Sequence, residues 1–127
     1  MNLDILNSLC AGVFYVSETD SALEPFYFPE RKDLLEDFQR TVHEGFDEKI
    51  ERRTFDEFLS KVTIKRDWFG EFEENNRVAF EKISNYIKKN SSNQEIVRVG
   101  NKRIKIYMIG EKAYGEIFGI KFISIET

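Results

Sequence analysis

The last run of the chain, Tyr114 to Ile125, is apolar at both parities. Ile117, Ile123 and Ile125 fall on one side of an extended backbone, and Phe118, Ile120 and Phe122 on the other. A strand with no side to show water must lie inside a sheet that is covered on both faces. Within 127 residues, cover in two directions means helices above and below one sheet. The expected class is therefore α/β, a three-layer α/β/α sandwich around a mixed, largely antiparallel sheet, formed by a single domain spanning residues 1–127.

The rest of the pattern supplies the parts. Glu95 to Val99, Arg103 to Ile109 and Tyr114 to Ile125 read as three strands, with turns at Gly100-Asn101-Lys102 and Gly110-Glu111-Lys112, hence an antiparallel meander. Val13-Phe14-Tyr15-Val16 reads as a further inner strand because it too is continuously apolar. Helices are expected from Leu3 to about Gly12, capped by Asn2, and after Pro29, where Leu34, Leu35 and Phe38 share a face. Thr54 and Glu57 have the capping-box spacing ahead of Phe58, Leu59 and Val62. Asp67 is placed to cap the longest helix, along which Phe72, Asn76, Ala79, Phe80, Ile83, Tyr86 and Ile87 recur at three- and four-residue steps. Thr41 to Arg53 is charged and reads as a surface connection with a short strand near Ile50.

Composition narrows the function by exclusion. The net charge of -4 argues against direct nucleic-acid binding, which needs clustered Lys and Arg, and points to a basic partner. The single cysteine, Cys10, sits among apolar residues and can build no disulfide framework. No basic stretch precedes an apolar segment long enough for export or membrane insertion, so a cytoplasmic protein with no membrane association is expected, monomeric when free. The single histidine, His43, lies in a charged surface stretch. No nucleophile elbow, phosphate loop or dinucleotide glycine pattern is present, and no ligand spacing marks a metal or cofactor site. An enzyme is not expected.

Two features are left without a purely structural explanation. Between Phe14 and Phe26 the chain fills with oxygen, in Ser17, Glu18, Thr19, Asp20, Ser21 and Glu24, framed by aromatic residues. Such a segment is either a solvated connection or an acidic docking loop held stiff by its flanks. Trp68, in Lys65-Arg66-Asp67-Trp68-Phe69-Gly70, is either a half-buried staple at a helix start or an exposed anchor for a partner.

Ala11-Gly12-Val13-Phe14-Tyr15-Val16-Ser17-Glu18-Thr19-Asp20, the pair Asp67-Trp68, Arg98-Val99-Gly100 with Ile106-Tyr107-Met108-Ile109-Gly110, and Gly119-Ile120-Lys121 through Glu126-Thr127 together resemble the nuclease A inhibitor (NuiA-like) family. The likeness runs the length of the chain and is firm at both ends, whereas Pro29 to Arg53 departs in length and composition. The resemblance implies a small protein that blocks a sugar-nonspecific ββα-metal nuclease, an enzyme that cuts DNA and RNA with Mg²⁺ and a histidine base. In that family an acidic residue of the Ser-Glu-Ser/Thr loop and the C-terminal Thr reach the nuclease metal, and here these are Glu18 and Thr127. Trp68 matches the family's Trp. The implied partner-binding set is Glu18, Thr127 and Trp68, with Ser17, Thr19, Asp20 and Glu24 around them.

The physics of the residues fits such a role. A basic cleft holding a hard cation seeks oxygen anions on an ordered frame, and carboxylates can stand in for phosphate. Two other readings remain: an antidote to a different basic toxin, which would use the acidic loop but not the C-terminal carboxylate, and a metal-dependent enzyme using Glu18 with Asp20 or Glu24.

Overall fold

A computed structural model describes residues 2–127. The elements in order are α1 (Asp4–Cys10), β1 (Phe14–Val16), β2 (Asp20–Ala22), β3 (Glu24–Phe28), α2 (Arg31–His43), β4 (Ile50–Arg53), α3 (Phe55–Val62), α4 (Glu71–Lys89), β5 (Asn93–Gly100), β6 (Arg103–Glu111) and β7 (Ile117–Ile125). The α/β class read from the sequence is what the chain adopts. Five strands form the main sheet in the order β3-β7-β6-β5-β4, while β1 and β2 form a separate two-stranded ribbon, and every pairing is antiparallel.

Strand parity divides the interior into two cores. Ile96, Ile104, Ile106, Met108, Phe118, Ile120 and Phe122 pack with Leu6 and Cys10 of α1, Phe55 and Phe58 of α3, and Phe80, Ile83 and Ile87 of α4. Val97, Val99, Tyr107, Ile109 and Ile117, on the alternate parity, pack with Phe26 and with Leu34 and Phe38 of α2. The last strand is thus interior and covered on both sides, as its two apolar sets require. The middle of the sheet is β6, flanked by β5 and β7.

α2 turns Asp37 and Thr41 inward beside Leu34 and Phe38, and leaves Leu35 exposed. The buried Asp37 carboxylate is satisfied from three directions: the Tyr107 hydroxyl donates at 2.8 Å, Arg40 Nη1 at 2.9 Å and Lys121 Nζ at 3.4 Å. A carboxylate out of water is tolerable only with such partners, and they fasten α2 to β6 and β7.

Several boundaries differ from the sequence reading. Val13 to Val16 contributes no strand to the main sheet; β1 pairs only with β2. The strand at that edge is instead β3, whose Pro25 lacks an N–H and is accommodated because β3 has a neighbour on one side only. The longest helix has Gly70 rather than Asp67 at its cap position, and Gly70 N–H donates to the Glu73 carboxylate at 3.1 Å. β6 continues through Gly110 and Glu111, so the second turn lies at Lys112 to Glu116, where Gly115 takes φ +89°. The cap at Thr54 and the short strand at Ile50 fall where the pattern placed them.

Gly119 pairs with Phe26 on one side and Ile109 on the other. A Cβ there would lie 1.8 Å from the Met108 carbonyl oxygen, which is backbone and cannot swing aside. Gly119→Ala should therefore lower stability by at least about 2 kcal/mol, read as a fall in the urea midpoint with an unchanged slope.

Candidate functional site

The oxygen-rich segment folds as the β1–β2 ribbon. Val16 pairs with Asp20, leaving Ser17, Glu18 and Thr19 as the turn. Ser17 N–H donates to the Thr19 carbonyl at 2.9 Å, and Ser17 Oγ donates to the same oxygen at 3.2 Å. Glu18 therefore stands at the tip of a tight turn rather than in a loose loop. Aromatic packing holds the ribbon: Tyr15 stacks on Phe122 at 4.6 Å between centroids and on Phe58 at 6.1 Å. Phe14 lies against Phe72 at 6.4 Å, and its N–H donates to Asn76 Oδ1 of α4 at 3.3 Å.

The other end of the chain arrives at the same place. Thr127 Oγ1 donates to Glu18 Oε1 at 2.5 Å, across 109 residues of sequence. A hydroxyl from the last residue and a carboxylate from the ribbon thus meet at the tip. The residue before it is tied down. Glu126 receives Arg98 Nη2 at 2.7 Å and Ser124 Oγ at 2.8 Å, and its N–H donates to the Lys102 carbonyl at 2.7 Å. Arg98 Nε is buried and has no hydrogen-bond partner among the described residues.

The Glu126 carboxyl feels opposed influences. Burial alone would push it up, but the hydrogen bonds from Arg98 and Ser124 and the charge of Arg98 outweigh burial and hold it below the ordinary carboxylate range. Arg98 balances the charge of Glu126, whereas Glu18 and Asp20 are exposed acidic side chains at this end.

The remaining residues of the implied set are placed unequally. Thr19 and Asp20 are exposed on the ribbon beside Glu18. Ser17 is turned inward, its hydroxyl accepting from Ile125 N–H at 3.0 Å. Glu24 opens β3 opposite Lys121 and belongs to the sheet edge, not to the tip. Trp68 is 71% exposed, with its edge against Phe69 at 4.8 Å, so the half-buried staple reading does not hold. It lines an apolar groove of about 450 Å³ together with Phe14, Val16, Ile64 and Phe72. Val16 links the two features, since its chain continues directly into Ser17 and Glu18. The sequence reading missed Arg98 and Glu126 as parts of this end and gave Ser21 no role of its own; the Arg98–Glu126 pairing depends on the register of the meander, which local patterns do not reveal.

Comparison with known families bears on this geometry. A model described as nuclease A inhibitor-like protein matches residues 2–127. The chain belongs to the nuclease A inhibitor-like family. No curated protein matches it. Membership supports a nuclease inhibitor role in general, with a nuclease as the partner. Among the described residues no helix is long and apolar enough to cross a membrane, and no cluster of three or more His, Cys, Asp or Glu side chains is suited to a metal. Cys10 also offers no reactive group, because burial pushes its thiol up to about 12.

The depressed Glu126 carboxyl fixes the sign of a pH effect on this nuclease inhibitor-like chain. Its ion pair should stabilise the fold fully above the ordinary carboxylate value of 4.5, and that stabilisation should be lost as pH falls through the lower folded value. The stability difference between the parent and Glu126→Gln, measured by chemical unfolding, should be constant from neutral pH to about 5 and shrink on further acidification.

Proposed function

We propose that the protein inhibits a sugar-nonspecific ββα-metal nuclease by inserting the ribbon tip and the C-terminus into its active site, where Glu18 and Thr127 act as substrate decoys. The observation that carries this reading is the contact between Thr127 Oγ1 and Glu18 Oε1. Two groups from opposite ends of the chain converge on one exposed point, and convergence of that kind needs a reason beyond solvation. The reading of an antidote to another basic toxin requires the acidic ribbon but gives no role to the terminus, so the contact favours the decoy.

The donor set suits the target. A nuclease cleft that binds nucleic acid is basic and holds Mg²⁺, a hard cation that prefers oxygen ligands. Carboxylate, hydroxyl and terminal carboxylate oxygens are of that class. Negative potential at the tip also speeds encounter with a basic cleft, more strongly at low salt. Because the ribbon and β7 are already ordered, docking forfeits little conformational entropy. Trp68 and the groove beside Val16 offer an apolar anchor at the flank of the same face, the kind of exposed aromatic that dominates interface energetics.

Glu18→Gln preserves shape and removes one charge, and a short C-terminal extension replaces the α-carboxylate by an amide. Each should weaken inhibition at least about ten-fold with the fold intact, and the combined loss should be less than additive because both groups serve one cation. An extended Glu18→Gln protein that inhibits as well as the parent would rule the decoy out. Trp68→Ala should change stability by no more than about 0.5 kcal/mol, since the ring is exposed, while weakening complex formation in a titration with the nuclease.

A further inference from the structure

The decoy reading requires Glu18 and Thr127 to keep a fixed relation, and the means of keeping it lies along the outer edge of β7. β3 pairs with β7 from Ile117 to Lys121 and stops. β7 continues through Ile125 with β6 on its other side. From Phe122 onward the outer edge has no strand paired to it through backbone hydrogen bonds, and its N–H groups need other acceptors. Ile123 N–H donates to Ser21 Oγ at 2.9 Å, and Ile125 N–H donates to Ser17 Oγ at 3.0 Å.

The two amides are two residues apart on one strand, so they face the same edge roughly 7 Å from each other. The two hydroxyls come from different arms of the ribbon: Ser21 lies in β2 opposite Tyr15, and Ser17 follows β1. Each hydroxyl also donates to its own ribbon, Ser17 to the Thr19 carbonyl at 3.2 Å and Ser21 to the Ala22 carbonyl at 3.4 Å. Each therefore accepts from the sheet and donates to the ribbon. A serine that merely shaped its turn would bond locally, whereas these bonds span 102 and 108 residues of sequence.

We propose that Ser17 and Ser21 are positioning residues: their hydroxyls take the place of the missing strand partner of β7 and thereby set the position of Glu18 against Thr127. This rests on the decoy reading for its functional consequence but not for its structural one. Ser17 acts from beneath the tip through β7, not by touching the partner. Ser21 carries the cleaner test because it is bonded to neither Glu18 nor Thr127.

In the full chain, Ser21→Ala should speed hydrogen exchange at the Ile123 amide roughly ten-fold, the loss of about one net hydrogen bond. It should also weaken the nuclear Overhauser contact between Glu18 and Thr127. Ser21→Thr, which keeps the hydroxyl, should restore both. Against a nuclease that the parent inhibits, Ser21→Ala should weaken inhibition several-fold, and by less in a Glu18→Gln background where the positioned anion is already gone. Unchanged exchange and an unchanged Glu18–Thr127 contact in a folded Ser21→Ala protein would overturn the proposal. So would full inhibition by Ser21→Ala when Glu18→Gln inhibits poorly. A parent that inhibits no nuclease of this class would instead count against the decoy, with the exchange and contact measurements still deciding the role of the serines.

Discussion

The acidic end of the molecule depends on where β3 stops. The chain leaves the ribbon at Ala22, turns through the buried Leu23 and enters β3 at Glu24, so β3 can pair with β7 only as far as Lys121. Had β3 begun earlier, it would occupy the edge against which the ribbon now rests. Leu23 joins the core formed with α1, α3 and α4, and its burial fixes the corner. An apolar side chain fully removed from water stabilises by about 2 kcal/mol, enough to hold a bend that backbone hydrogen bonds alone would leave loose.

The terminal strand then serves two purposes. Its apolar parities join the two cores, which makes it one of the most constrained elements of the fold. Its final residues project beyond β3 and carry that order to Thr127. Residues beyond the last pairing of a strand usually fray unless tied down. Here Glu126 is bound through Arg98, Ser124 and the Lys102 carbonyl. Arg98 comes from β5, so the residues after β7 are linked to the far side of β6 as well as to the ribbon. Charge is managed by the same arrangement, because the bound Glu126 is balanced while Glu18 remains exposed beside Thr127.

The sheet and the helix faces were legible because they depend on periodicity. Phe118, Ile120 and Phe122 could not have faced water, and Phe80, Ile83 and Ile87 could share a face only in a helix. Topology was less visible. Val13 to Val16 has the continuous apolar character of an inner strand, but Phe14 and Tyr15 use their rings against α4 and the core, and Val16 is exposed in the groove. Composition does not distinguish a ribbon packed by aromatic residues from a strand covered on both sides. β3 was hidden for the opposite reason, since Pro25 argues against a strand unless its position at an edge is known. Of the candidate site, the acidic segment with Glu18 and the exposed-anchor reading of Trp68 came from the residues themselves, and family resemblance supplied the roles of Glu18 and Thr127. Ser21, Arg98 and Glu126 matter through contacts between distant segments, which a local reading cannot supply.

The decoy arrangement is tested most directly by the steady-state pattern of inhibition, with a nuclease of the proposed class assayed at varied nucleic-acid and inhibitor concentrations. If Glu18 and Thr127 take the place of substrate oxygens at the metal, inhibition is competitive: the apparent KM rises with inhibitor and kcat is unchanged. A fall in kcat with KM unaltered would mean that the protein binds away from the cleft, and would contradict the decoy mechanism.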